Sequence, residues 1–240
     1  RNFLQLSALA APLFSFRNAA GGNTKPIVVS TWDSGMPVNA EAWKILNANG
    51  KSIDAVEAGA VYIENQINCC VGVGGFPERE GIVTLDSCIM DEKANCGAVA
   101  GLERIKHPVS VARKLMEKSP HVLLVGAGAQ QFALENGFIL EPQVLSKEAE
   151  KAYKNWLQKS EYKPVINIEN KKENGPFAPA FFEDGSANHD TMGLVAMDAA
   201  GNLSGAVTTS GMAFKLHGRV GDSPIIGAGL FVDNEVGAAT

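Results

Sequence analysis

Five stretches of this chain are apolar or β-branched almost end to end: "PIVVSTW" (26–32), "GIVTLDSCIM" (81–90), "CGAVAGL" (96–102), "MGLVAMD" (192–198) and "LSGAVTTS" (203–210). A strand with one wet face alternates apolar and polar residues, whereas a continuous run needs cover on both faces. Residues 26–32 are therefore expected to be buried on both sides. The runs come in pairs. "DEKAN" (91–95) separates the second from the third, and "AAGN" (199–202) the fourth from the fifth, so antiparallel hairpins are predicted over 82–101 and 192–209.

Helical periodicity fills most of the remainder. Asn39 is the expected cap of a helix over "AEAWKILNAN", ended by Gly50, and Ser52 of a second over "IDAVEAGAVYIENQ". Pro108 and Ser110 open a third helix. "HVLLV" reads as a strand, "AQQFALENG" as a helix closed by Gly137, and "KEAEKAYKNWLQK" as a helix capped by Ser146. Hairpins mixed with helices define an α/β fold with sheet inside and helices outside.

The 240 residues are 45% hydrophobic and 20% charged, a globular composition, with a net charge of −5. An acidic chain without a Lys/Arg stripe is not a nucleic-acid binder. "RNFLQLSALAAPLFSF" is apolar but too short to span a bilayer, so no membrane partner is expected. Residues 1–22 read as the remnant of an export signal, with Ala19-Ala20 near a cleavage site, and "RNFL" fits the tail of a twin-arginine signal. The folded part is then taken as a single unit over 23–240, in a protein exported to the periplasm, or lysosomal if eukaryotic.

Four cysteines, Cys69, Cys70, Cys88 and Cys96, form no CxxC pair and no Cys/His ladder, so no metal centre is implied. One disulfide is compatible with export, but its pairing cannot be deduced, and buried free thiols are the expectation. "HVLLVGAGAQQF" has Gly126 and Gly128 but Gln131 where a dinucleotide fingerprint needs its third glycine, and it lacks an acid at a following strand end. No cofactor is implied. "VGVGGFPEREG" (71–81) reads as a turn, or as the rim of a pocket.

Two stretches carry chemistry. In "HGRVGDSPIIGAGLF" (217–231), Arg219 and Asp222 stand three apart among glycines that let a ligand approach the backbone. Either they pair with each other, or they hold a zwitterion, the guanidinium taking a carboxylate and the carboxylate an ammonium. In "NHDTMG" (188–193), Thr191 divides a polar, proline-punctuated segment, about 163–190, from an apolar strand. One reading is a β-branched strand starter. The other is a cleavage point. Cut before Thr191, the residue gains an α-amine that titrates near 8, so nucleophile and base reside in one residue. The long loop before it is of the kind that is usually functional or disordered.

Taken together, "STW", "NHDTMG", "TTSG" and "HGRVGDSPIIGAG" closely resemble the glycosylasparaginases, amidohydrolases with an N-terminal nucleophile. The likeness runs from Lys25 to Thr240. It implies a four-layer αββα sandwich and self-cleavage between Asp190 and Thr191. It also implies hydrolysis of the amide joining N-acetylglucosamine to an asparagine side chain. By resemblance Thr191 is the nucleophile and Thr209 its hydrogen-bonding partner. Trp32 then lines the pocket, Arg219 and Asp222 hold the substrate's α-groups, and the assembly is a homodimer of two-chain units. The related plant-type asparaginases and isoaspartyl peptidases share the "GDSP" loop but begin with a His-Gly-Gly stretch where this chain has Ser30-Thr31-Trp32. The family continues past "GAAT" into a Thr-Gly oxyanion hole, so the chain reads as a fragment of such an enzyme.

Overall fold

The computed structural model describes residues 24–158 and 191–240. The proposed export segment and the segment preceding Thr191, Asp190 included, lie outside the described residues. Among the described residues there are eight strands: β1 (Ile27–Ser30), β2 (Thr84–Met90), β3 (Cys96–Glu103), β4 (Leu123–Val125), β5 (Thr191–Met197), β6 (Leu203–Thr209), β7 (Phe231–Asp233) and β8 (Gly237–Ala239). The helices among the described residues are α1 (Gly35–Asn47), α2 (Ser52–Glu64), α3 (Pro108–Lys118), α4 (Gly126–Glu135) and α5 (Lys147–Leu157).

Six strands form one sheet in the order β1-β5-β6-β2-β3-β4, and β7 pairs with β8 in a second, small one. Both predicted hairpins are present and antiparallel. The Asp91 carboxylate closes the first turn by accepting from the backbone N–H groups of Lys93 and Asn95, both at 2.9 Å. Asp198 closes the second, accepting from Ala200 and Asn202 at 3.0 Å. Its other oxygen accepts from the Ser52 backbone N–H at 3.3 Å, tying that turn to the start of α2.

Side chains alternate across a strand, and the two faces of the main sheet are covered differently. Leu194, Ala196, Ala206 and Ile89 pack against Val38, Leu46, Val56, Val109 and Ala133 of the helices in the larger core. On the opposite face Cys88, Met90 and Val207 pack against Leu230 and Val232 around the small sheet. Glycine makes that second contact possible. A Cβ on Gly205 would stand 2.6 Å from Leu230, and one on Gly193 would collide with the Thr240 side chain. The chain is α/β as expected. Three layers of the sandwich, helix, sheet and sheet, are present among the described residues.

Several sequence expectations need correction. β1 is not buried on both faces: Ile27 and Val29 are about half exposed while Val28 packs on the helical core, because β1 is an edge strand that the small sheet does not reach. α1 begins at Gly35 rather than after Asn39, with Pro37 in its first turn, where a missing N–H costs nothing. Ser52 does not cap α2; its hydroxyl bonds that of Ser204 at 2.8 Å, and Lys51 is the cap residue. Cys69 and Cys70 are joined by a disulfide, against the expectation of free thiols, whereas Cys88 is free and buried and Cys96 free and half-buried. β7 and β8 had no counterpart in the sequence reading, since three-residue strands in a glycine-rich tract carry too little pattern. Ser146 does cap α5, accepting from the Ala149 N–H at 3.1 Å. That helix is fastened by stacked rings: Trp156 lies 5.2 Å from Phe214, and Phe214 lies 6.1 Å from Phe76.

Candidate active site

Thr191 is the first residue of β5 and sits opposite Thr209 at the end of β6; Thr209 is in turn opposite Asp86 of β2. The row lies on the small-sheet face. There the Thr191 hydroxyl donates to Thr209 Oγ1 at 3.3 Å, and Thr209 Oγ1 also accepts from the Gly211 N–H at 2.9 Å. A second hydroxyl, Ser223 Oγ, approaches Thr191 Oγ1 to 3.2 Å.

The Thr191 carbonyl is held as well. Trp32 Nε1 donates to it at 2.9 Å and Thr31 Oγ1 at 3.4 Å, and Thr31 Oγ1 accepts from the Gly193 N–H at 3.1 Å. To deliver its indole there, Trp32 adopts φ 63°, a left-handed conformation that costs a bulky residue about 1–3 kcal/mol and concentrates at functional sites. The ring is half exposed.

Two small cavities meet at these residues. One, of 150 Å³, is walled by Thr31, Trp32, Thr191, Gly193, Asp222, Ser223, Gly229 and Thr240. The other, of 120 Å³, is walled by Trp32, Ser34, Cys69, Cys70, Val71 and Thr191. A larger cavity of 240 Å³ between Val73, Arg104 and Val144 is remote from this chemistry, so size does not select the site. The pocket-rim reading of residues 71–81 holds at its start, where Val71 reaches the cavity, and the turn reading holds at Gly81, which has φ 82°.

Asp222 stands on the cavity wall. Arg219 lies in an exposed segment with its guanidinium folded over Gly221, and the described residues show no ion pair between the two. The internal salt bridge is therefore not formed. The Arg219 charge instead reaches Asp86, whose carboxyl is pushed above the usual range by burial and drawn back by Lys215, the Gly101 N–H and Arg219. Lys215 is buried, with Nζ 3.0 Å from the Ser210 carbonyl and 3.9 Å from Asp86. This buried pair flanks the threonine row from β2.

The loop carrying these groups is anchored to residues 77–79. Phe214 N–H donates to the Pro77 carbonyl at 2.8 Å and Arg79 N–H to the Lys215 carbonyl at 2.9 Å. Glu78, fully buried, meets His217 Nδ1 at 2.6 Å, and with Glu80 forms the one group of potential metal ligands among the described residues. There the imidazole already serves as the carboxylate's partner.

The structure thus brings together Thr191, Thr209, Trp32 and Asp222 and leaves Arg219 at the periphery. Sequence reasoning missed Thr31, Ser223 and the Asp86–Lys215 pair. Thr31 and Ser223 each adjoin a residue that was singled out, and only chain pairing reveals their contacts.

A family model described as Asparaginase matches residues 29–240. The chain belongs to this family. It is similar to the N(4)-(β-N-acetylglucosaminyl)-L-asparaginase of Elizabethkingia miricola, 58% identical over 217 residues, covering 90% of this chain and 58% of that protein. The enzymes of that name from Rattus norvegicus and Mus musculus are 40% and 38% identical, with 91% and 98% of this chain matched to 67% and 70% of theirs. The chain thus spans between about three fifths and seven tenths of the length of these relatives. No helix among the described residues is long and apolar enough to cross a membrane.

Proposed function

We propose that the protein containing this chain is a self-processing amidohydrolase that releases N-acetylglucosamine, as its glycosylamine, from the side-chain amide of asparagine. One observation carries the reading: a strand-initial threonine whose hydroxyl meets two other hydroxyls and whose carbonyl is fixed by Trp32 and Thr31, on the wall of a cavity. In the first reaction the Thr191 hydroxyl attacks the Asp190 carbonyl, the peptide C–N bond breaks, and the resulting ester is hydrolysed. Thr191 is left with a free α-amine. In the second, that amine takes the hydroxyl proton while Oγ1 attacks the substrate's amide carbon, and the leaving amine receives the proton. Water then cleaves the aspartyl ester.

Asp222 is the acceptor for the substrate's α-ammonium, Arg219 the donor to its α-carboxylate, and Trp32 a wall for the remainder. Arg219 has to swing from its position over Gly221 to serve in this way. The Thr-Gly oxyanion hole, the pairing of two-chain units into a homodimer and export to the periplasm, or to the lysosome if eukaryotic, belong to the same proposal.

Purified full-length protein is expected to separate under denaturation into two chains, the second reading Thr-Met-Gly by Edman sequencing. A single chain after prolonged incubation would refute it. Processed protein should release amino sugar from glycosylated asparagine faster than ammonia from free asparagine; the opposite order would make it a general asparaginase of the same family.

A further inference from the structure

In the reading above the Ser223 hydroxyl is a neighbour of the proposed nucleophile but has no chemical task. It is buried at 4% exposure and follows Asp222, so one short turn carries both a cavity-wall carboxylate and a hydroxyl beneath it. That turn is tightly held. The Ser223 carbonyl accepts from the Cys88 thiol at 3.1 Å, Ile225 N–H donates to the Asp222 carbonyl at 2.8 Å, and Gly229 packs so closely that a Cβ there would approach Ser223 Cα to 2.7 Å.

The direction of the contact follows from proton counting. A threonine hydroxyl has one proton, and that of Thr191 is directed to Thr209 Oγ1. In the 3.2 Å contact with Ser223, Thr191 Oγ1 is therefore the acceptor and Ser223 the donor. A donor aimed at the nucleophilic oxygen does little to assist its attack, since it occupies a lone pair. It helps when that oxygen gains negative charge, as it does when the oxygen leaves.

We infer that Ser223 is a catalytic donor for the leaving oxygen, acting chiefly when the aspartyl ester on Thr191 is broken. This rests on Thr191 being the nucleophile. In that step water adds to the ester carbonyl, giving its proton to the Thr191 α-amine. The tetrahedral adduct then collapses, the C–Oγ1 bond breaks, and its electron pair goes to Oγ1. Ser223 stabilises the developing alkoxide through its hydrogen bond, the α-ammonium returns the proton, and aspartate departs. Ser223 loses no atom in the cycle.

The test uses the full-length protein with a protease site placed before Thr191, so that self-cleavage does not limit the result. Ser223→Ala is expected to lower kcat about 10- to 100-fold and to accumulate, in the steady state with glycosylated asparagine, a Thr191 chain heavier by one aspartyl residue on intact mass spectrometry. Added hydroxylamine, a stronger nucleophile toward esters, should raise turnover of Ser223→Ala by a larger factor than that of wild type and yield the hydroxamate. Ser223→Cys, which keeps a proton on the side chain in a bulkier and weaker donor, should behave like the alanine variant. If both variants fold, as judged by circular dichroism, and neither builds up ester nor responds to hydroxylamine, Ser223 is a packing residue and the inference is overturned. Thr191→Ala with the same protease site separates the premises. Wild-type hydrolysis by that variant would remove the nucleophile itself; loss of hydrolysis there, with no ester in Ser223→Ala, would overturn the role of Ser223 alone.

Discussion

Thr208 and Thr209 are neighbours on β6 and face opposite ways, and their surroundings share almost nothing. Thr208 points into the helical layer and donates to Glu64 Oε1 at 2.7 Å. The same oxygen accepts the Val109 N–H at 3.1 Å, and His107 lies 3.3 Å from the other. Glu64, itself fully buried, sits at the end of α2 and supports the start of α3, so this network joins two helices and the sheet. Thr209 points to the other face, where its partner Thr191 opens onto a cavity. On the helical side one Glu64 oxygen takes both donors, while the other faces His107 without a hydrogen bond. The small-sheet side leaves room next to its polar groups. A buried polar network that is fully enclosed specifies packing, whereas one with an adjoining space can accept a reactant.

The sharpest way to break this comparison is to remove the hydroxyl at the centre of the open side. Thr191→Ala, again with a protease site ahead of it, is expected to lower hydrolysis by about 10⁴- to 10⁶-fold, while the melting temperature stays close to wild type. Residual turnover within tenfold of wild type would show that the open side is not where the chemistry occurs.

The neighbouring pair gives the next contrast. Thr209→Val removes the acceptor for the Thr191 proton and should reduce kcat by about 10- to 100-fold, with KM nearly constant. Thr208→Val should leave kcat within about twofold and cost about 1–3 kcal/mol of stability, because the buried Glu64 carboxyl loses a donor. Equilibrium urea unfolding and steady-state kinetics on both variants supply the readings. The comparison fails if Thr208→Val impairs kcat as much as Thr209→Val.

The two sides were not equally legible in the sequence. Thr191 stands out where a polar segment meets a strand, whereas Thr209, inside "TTSG", is marked only by the family resemblance. The hairpin that aligns them was also readable, since "AAGN" between two apolar runs is a local turn signal. Glu64 and His107 gave no such signal. They sit at the end of one helix and the start of another, and their meeting depends on how α2 and α3 cross the sheet. Asp86 and Lys215 are 129 positions apart and equally hidden. The exposure of β1 was misread for a related reason: "PIVVS" is apolar throughout, but burial depends on whether a second layer extends over the edge, which local pattern does not encode. Trp32 was marked by resemblance, yet its left-handed backbone and its bond to the Thr191 carbonyl are products of the β1–β5 register.

The smallest expected effect concerns the enclosed side and is a dependence on pH. Burial raises the Glu64 carboxyl above its ordinary value of 4.5, and the nearby His107 with the hydrogen bonds from Thr208 and Val109 only partly opposes it. The folded protein therefore holds this proton more tightly than the unfolded chain. Its stabilising contribution is fully present below pH 4.5, and it is lost as pH rises from there through the raised folded value. Asp86, on the open side, is shifted the same way by burial, against the pull of Lys215. Glu64→Gln keeps an oxygen for Thr208 and Val109 but removes the ionisation. It should flatten, without abolishing, the decline in unfolding free energy as pH rises above 4.5, because the Asp86 share remains. Adding Asp86→Asn should flatten the curve further and, unlike Glu64→Gln alone, also lower kcat, since Asp86 lies beside the threonine row. Urea titrations at several pH values measure the slope. A Glu64→Gln slope identical to wild type would mean that the enclosed carboxyl does not set it, and a kcat loss confined to Glu64→Gln would reverse the assignment of the two sides.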